Sequence, residues 1–278
     1  VSAPCRYAHR SGCGGCDFQH VSLPRQRLLK ADVIAEQFSR IAKMEISVVV
    51  EEVSQPLGWR TRCTAVTNKS GALGFYQARS HKVIPVDDCR ILAPEMKYSE
   101  LARMGAKGDQ RIEISISNTG ERSIATANSR DESPMRLSDG VDIAHYTVGD
   151  KTFEVSQKSF WQSHKDAPRV LSEAVIQYLE PHEGDHVLDL YGGVGLFTGA
   201  ILPLVGYSGR VDIVEGSKSA TADASRNFAA NSNVGIVTAD VTKAITRFSS
   251  ADLVVLDPPR EGAGREVISE LSRIAPRA

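Results

Sequence analysis

The chain has 278 residues, 41% of them hydrophobic and 24% charged, with a formal net charge of −1. That is the make-up of an ordinary globular protein, long enough for two domains and a sizeable core. No stretch approaches the roughly 18 to 20 uninterrupted apolar residues of a membrane span, and no signal-peptide pattern opens the chain at Val1. Five cysteines, an odd count without a secretory leader, read as thiols kept for metal or catalysis in a reducing cytoplasm.

The near-neutral net charge covers an asymmetry. Residues 1–90 carry 13 Lys and Arg against 8 Asp and Glu, and the remainder 20 against 26. A basic front on an acidic back suits a polyanion-binding module joined to a catalytic domain, although ordinary scatter of surface charge accounts for the figures as well.

In chain order, the first feature is "CRYAHRSGCGGCDFQH", Cys5 to His20, which sets Cys5, Cys13 and Cys16 within twelve residues. Thiols so close converge on a disulfide, a zinc ion, an iron–sulfur cluster or a redox centre. Leu23 to Ala42 reads as an amphipathic helix, with Leu28, Ala31, Ile34, Phe38 and Ile41 at three- and four-residue steps and Pro24 near its start. From Ser47 to Ser156 the texture is β: "ISVVVEEV", "RCTAVTN", "ALGFYQA", "HKVIPV", "RIEISIS", "RSIATA" and "TFEVS", with turn-prone "NKSG" and "SNTG" between antiparallel strands. Only "LAPEMKYSELARMGAKG" interrupts them with helical texture.

After Gln157 short apolar strands alternate with helices. "HVLDL", "GRVDIVE", "VGIVTAD" and "ADLVVLD" are the strands, each followed by a helix, and "DAPRVLSEAVIQYLE" is the helix before them. The rhythm predicts a parallel sheet covered on both faces, doubly wound and cut short after four strands. The expected division is a β-rich domain over residues 1–154 and an α/β domain over 155–278.

"VLDLYGGVGLFT" joins the first of these strands to its helix, and Gly192, Gly193 and Gly195 let the backbone turn tightly beside a ligand. Glu215 ends the second strand, where a carboxylate can accept hydrogen bonds from both hydroxyls of a ribose. Asp240 ends the third and Asp257 the fourth, in "LDPPREG". Any one of these acids could be a helix N-cap. All of them with the Gly turn point to a nucleotide site outside the carboxyl ends of the strands. The turn is D-L-Y-G-G-V-G rather than the G-x-G-x-x-G of pyrophosphate binders, and this favours S-adenosylmethionine, which has no phosphates, over NAD.

Together these residues resemble the RNA 5-methyluridine methyltransferases, in the branch that carries a [4Fe–4S] cluster. The matching motifs are C-x7-CGGC-x2-QH (Cys5, Cys13, Cys16, His20), Cys89 in "DDC", "SFWQSH" with Gln162, "DLYGGVGLF", Glu215, Asp240 and "DPPREGAG". The resemblance implies a Rossmann-like class I methyltransferase with an N-terminal iron–sulfur and antiparallel β domain. It implies Cys5, Cys13, Cys16 and Cys89 as cluster ligands; by the residues alone, zinc suits four thiolates and comes first. Cys63 is left over as a structural thiol.

It further implies that Gln162, Tyr191, Gly193, Gly195, Glu215, Asp240 and Asp257 line the S-adenosylmethionine pocket. Family chemistry adds a cysteine thiolate to C6 of uracil, which activates C5 for methylation, and a general base then removes the C5 proton. Asp257 would hold that base in place, while the nucleophilic cysteine and the glutamate base are expected beyond Ala278. Phe160 and Trp161 are candidates to stack on a flipped base, at least one of them serving in the core instead. The implied protein is a cytoplasmic monomer that acts on ribosomal RNA, with transfer RNA the alternative. A non-catalytic RNA-binding or redox-sensing iron–sulfur protein is the rival from another class.

Overall fold

The structure, a computed structural model, describes residues 1–130, 133–274 and 276–278. Two compact units emerge: residues 1–114 with 126–136, and residues 115–125 with 137–278. The expected functional boundary at 154/155 falls inside a strand, β8.

In the first unit α1 (Leu23–Gln37) starts on Pro24 and runs into a π-turn at Phe38–Ala42, closed by Lys43 in the left-handed conformation. The expected helix is there, yet it buries no residue: Leu28, Ile34, Phe38 and Ile41 keep 55%, 40%, 42% and 72% of their surface exposed. The strand expected at "ISVVVEEV" is absent. These residues have no regular structure and Val49 is 83% exposed; β-propensity reflects packing on a sheet surface and does not by itself make a strand.

The antiparallel run forms as expected in β1 (Arg62–Thr67), β2 (Leu73–Tyr76), β3 (Val83–Pro85), β4 (Gln110–Ile116) and β5 (Arg122–Asn128), with α2 (Tyr98–Met104) between β3 and β4. The "NKSG" turn is held by Asn68, whose side-chain oxygen accepts from the N–H groups of Ser70 and Ala72, so β1 returns as β2 with Val66 opposite Gly74. A further strand, β6 (Arg136–Gly140), completes the sheet in the order β3-β2-β1-β4-β5-β6. Every residue of β6 is exposed, so no alternation marked it in the sequence.

The second unit contains the hairpin of β7 (Ile143–Val148) and β8 (Lys151–Ser156), then α3 (Ala167–Leu179), β9 (His186–Leu190), α4 (Leu196–Val205), β10 (Arg210–Glu215), α5 (Lys218–Asn227), β11 (Val234–Thr238), α6 (Val241–Ala244), β12 (Leu253–Leu256) and α7 (Gly264–Ile274). The four strands β9 to β12 are parallel in the order β11-β10-β9-β12. Both faces are buried. Val187, Val211, Ile213, Leu253 and Val255 pack in one core with α4, α5 and the hairpin, while Leu188, Leu190 and Val214 pack in another with α6 and α7. This is the doubly wound arrangement the apolar runs predicted. Arg277 and Ala278 already lie along β12, as Arg277 N–H donates to Asp252 O and Val254 N–H to Ala278 O.

Strand order reverses between β9 and β12, so the loops after these two strands diverge and leave a crevice at the carboxyl edge of the sheet. No helix among the described residues is long and apolar enough to cross a membrane.

Candidate active site and a thiol-lined cavity

The crevice is built on the turn from β9 to α4. Tyr191, Gly193 and Gly195 all have positive φ, at 61°, 57° and 89°. For Tyr191 that is a strained conformation, and it is fixed by two consecutive bonds, from the N–H groups of Tyr191 and Gly192 to Val214 O. A side chain on Gly195 would strike the Phe228 ring at 2.3 Å, whereas the space beside Gly193 is open. One glycine is there for packing and the other leaves the face of the turn bare.

Glu215 reaches back to that turn. Its carboxylate accepts from Gly193 N–H at 3.1 Å on one oxygen and from Ser217 N–H at 2.7 Å on the other. Each oxygen keeps a lone pair, which is the capacity a vicinal diol needs. Asp240 caps α6, accepting from Lys243 N–H at 3.3 Å, so the N-cap role applies here; its charge also acts on the Tyr191 phenol, which burial and Asp240 together push above its usual range. Asp257 is exposed after β12, and its N–H bonds Leu190 O at 3.4 Å. Gly193, Gly195, Tyr191, Glu215, Asp240 and Asp257 are thus brought to one edge of one sheet.

Gln162 and Phe160 come from the segment after β8. Trp161 between them is core, 5% exposed and packed on Tyr146 and Phe153 at ring distances of 4.7 and 5.5 Å. Gln162 is half-buried and Phe160 is 67% exposed. The aromatic pair therefore divides as expected, with one ring inside and one outside. Asn227 links this region to the Gly turn: its amide accepts from Glu154 N–H at 2.7 Å and donates to Glu154 O and Val194 O at 3.2 and 3.1 Å.

One acid escaped the sequence reading. Asp189, in the middle of the apolar run "HVLDL", is wholly buried, and one oxygen accepts from both the N–H and the hydroxyl of Thr198 at 3.1 and 2.7 Å. The other oxygen, Oδ1, is buried without a partner. Burial, with the charges of Asp257 and Glu215, pushes this carboxyl up to about 6. The signal was present as an acid inside a strand that should be apolar on both faces.

The first unit gathers thiols. Cys13 pairs with Gln77 at the end of β2, and Gly14 lies so close that a Cβ there would meet Ala78 N at 2.5 Å. The Tyr7 hydroxyl donates to Asp87 at 2.6 Å and Arg6 pairs with the same carboxylate, which ties the N-terminal loop to the segment carrying Cys89. Cys5, Cys13, Cys16, Cys89 and Cys63 all line one cavity of about 190 Å³. Burial raises the Cys13 thiol, pushes Cys89 up to about 11 and Cys63 up to about 12. Among the described residues no group of three or more His, Cys, Asp or Glu side chains is arranged to hold a metal ion. The expected cluster ligands share a cavity, then, without forming a ligand set.

Residues 163–277 match the family described as "Methyltransferase small domain". An RNA methyltransferase of Streptomyces coelicolor, itself called uncharacterized, is 35% identical over the whole of this chain and 68% of its own length. One of Streptomyces avermitilis is 36% identical, again over the whole chain and 72% of its own length. The chain belongs to the RNA methyltransferase family. A 23S rRNA (uracil(1939)-C(5))-methyltransferase RlmD of Shewanella amazonensis is 30% identical over 90% of the methyltransferase described here and 66% of its own length. In fold, the enzyme is similar to the Pyrococcus abyssi tRNA (uracil-54, C5)-methyltransferase solved with S-adenosyl-L-homocysteine, with a TM-score of 0.67 and 20% identity over 95% of this chain and 74% of that one. The class I Rossmann-like fold follows.

Proposed function

We propose that this methyltransferase acts on C5 of a uridine in a structured RNA, ribosomal RNA before transfer RNA. The observation that carries the reading is the Glu215 carboxylate held against Gly193 at the carboxyl edge of the sheet, in a chain similar to an RlmD. S-adenosylmethionine supplies an electrophilic methyl group on a sulfonium. Glu215 would take the ribose hydroxyls, Asp240 and Tyr191 would flank the adenine, and Gln162 and the bare backbone at Gly193 would hold the amino-acid end. The exposed Phe160 ring offers a stacking face for a base drawn out of the RNA.

Asp257 would orient the group that removes the C5 proton. The covalent route needs a thiolate, and residues 155–278 contain no cysteine, so the thiol comes from outside that stretch. Tritiated methyl incorporation into ribosomal and transfer RNA, with the label mapped to its nucleoside, tests the reading on this chain and on any longer product of its gene. Label recovered as 5-methyluridine in 23S rRNA supports it. Label on a ribose or another base would sink it.

The first 154 residues form, in this reading, the iron–sulfur and RNA-binding part of a cytoplasmic enzyme. Support comes from the cavity, whose wall carries Cys5, Cys13, Cys16 and Cys89 together. Those four thiols would hold the cluster.

A further inference from the structure

Asp189 is an ionisable side chain with no surface exposure, beneath the turn where the proposed cationic cofactor would dock. Two observations distinguish it from a carboxylate that merely caps a helix. Both bonds it accepts, from Thr198 N–H and Thr198 Oγ1, fall on one oxygen, and Oδ1 is buried with no donor. The Gly turn also closes directly over the carboxyl, since a Cβ on Gly192 would lie 2.9 Å from the Asp189 carboxyl carbon. An ionised oxygen left so is costly, and a proton on it removes the charge. The groups acting on it are the carboxylates Asp257, after β12, and Glu215, at the end of β10, with the Thr198 hydroxyl on α4.

We propose that Asp189 holds a proton on Oδ1 in the empty pocket and releases it to solvent as the sulfonium cofactor binds, so that the pocket distinguishes the charged cofactor from its neutral thioether product. The inference rests on S-adenosylmethionine as cofactor. When it binds, the O–H bond of the carboxyl breaks and the buried anion complements the added positive charge. Once the methyl has left, the sulfur is neutral, that complement is lost, and the carboxyl recovers a proton from solvent. Asp189 acts through the turn above it and is a positioning residue.

Calorimetric titration of the 278-residue chain with S-adenosylmethionine and with S-adenosylhomocysteine, at pH 5 to 8 in buffers of different ionisation heat, tests this. The expected result is proton release near pH 6 with S-adenosylmethionine alone, and an affinity for it about tenfold weaker at pH 5 than at pH 7 relative to the product. Asp189→Asn should abolish both effects. Thr198→Val, which removes one bond favouring the anion, should move the midpoint to higher pH. A ratio of the two affinities that is flat with pH in the unaltered chain overturns the proposal while leaving the cofactor reading intact. No binding of S-adenosylmethionine at any pH overturns both.

Discussion

Arg277 closes on Asp185 with two hydrogen bonds, Nη1 to Oδ1 at 3.1 Å and Nη2 to Oδ2 at 2.6 Å. Asp185 precedes β9, so this fork fastens the last residues of the chain to the first strand of the parallel sheet. The guanidinium is the main reason the Asp185 carboxyl sits below its usual range, and His182 N–H adds a bond at 2.7 Å. A carboxyl depressed in the folded state stabilises above its unfolded value and loses that contribution as pH falls through the folded one. Arg277→Ala should therefore destabilise the protein at pH 7 and do so distinctly less near pH 3. Urea unfolding at the two pH values checks it, and equal costs would mean that the pair matters only for packing.

Glu215→Ala should weaken S-adenosylmethionine binding by about 1.5 to 3 kcal/mol, the scale of hydrogen bonds to a charged acceptor. That is about tenfold to a hundredfold in dissociation constant. Glu215 also anchors Gly193 and Ser217, so Glu215→Gln, which keeps acceptor oxygen and shape, should fall between the two. Equal affinity in all three proteins would remove Glu215 from the pocket.

Anaerobically purified protein should be brown, with about four iron and four sulfide per chain. Cys89→Ser should lose or destabilise the cluster and Cys63→Ser should keep it. Stoichiometric zinc without sulfide would mean that the cavity closes around a single ion.

RNA binding should weaken steeply with salt, each lost phosphate contact lowering the slope by about one. Among the exposed cations of the front half, Arg25, Lys30, Arg79 and Lys82 are placed to contribute. Arg62 is committed to Glu113 at 3.2 Å and Arg27 to Glu52 at 3.1 Å. Reversing the charge of Arg79 and Lys82 should therefore affect binding more than reversing Arg62, as filter binding across a salt series would reveal. The opposite order would place the RNA elsewhere.

The two neighbouring aromatics should part company. Trp161→Ala is expected to destabilise by about 3 to 5 kcal/mol, the range for a large core ring. Phe160→Ala should leave the unfolding midpoint in place and reduce RNA methylation. A stable Trp161→Ala protein would contradict the packing on Tyr146 and Phe153.

The parallel sheet was legible because each of its strands is an apolar run bounded by turn residues, and the site lies where such runs end. Glu215 and Asp257 could be located by counting strand ends. Asp189 could not: reading "HVLDL" as a strand places the acid inside but cannot reveal that one of its oxygens lacks a partner. In the front half the pattern misled at "ISVVVEEV" and was silent at "RLSDG". The first run has no regular structure, and the second pairs through its backbone while its side chains are exposed. The five thiols were visible from the start, but only folding shows Cys63 on the wall of the same cavity as the other four.

The Asn227 side chain has a wider meaning than its three hydrogen bonds. A single carboxamide on α5 spans from the backbone of Glu154, on the strand that leads to Phe160, to the backbone of Val194 in the turn between β9 and α4. It works as a strut whose length is set by covalent geometry. The spacing between the place where the methyl donor would rest and the place where the base would stack is thereby fixed before either molecule arrives. Ordering that would otherwise accompany each binding event is already done, and the second molecule enters a gap of settled width.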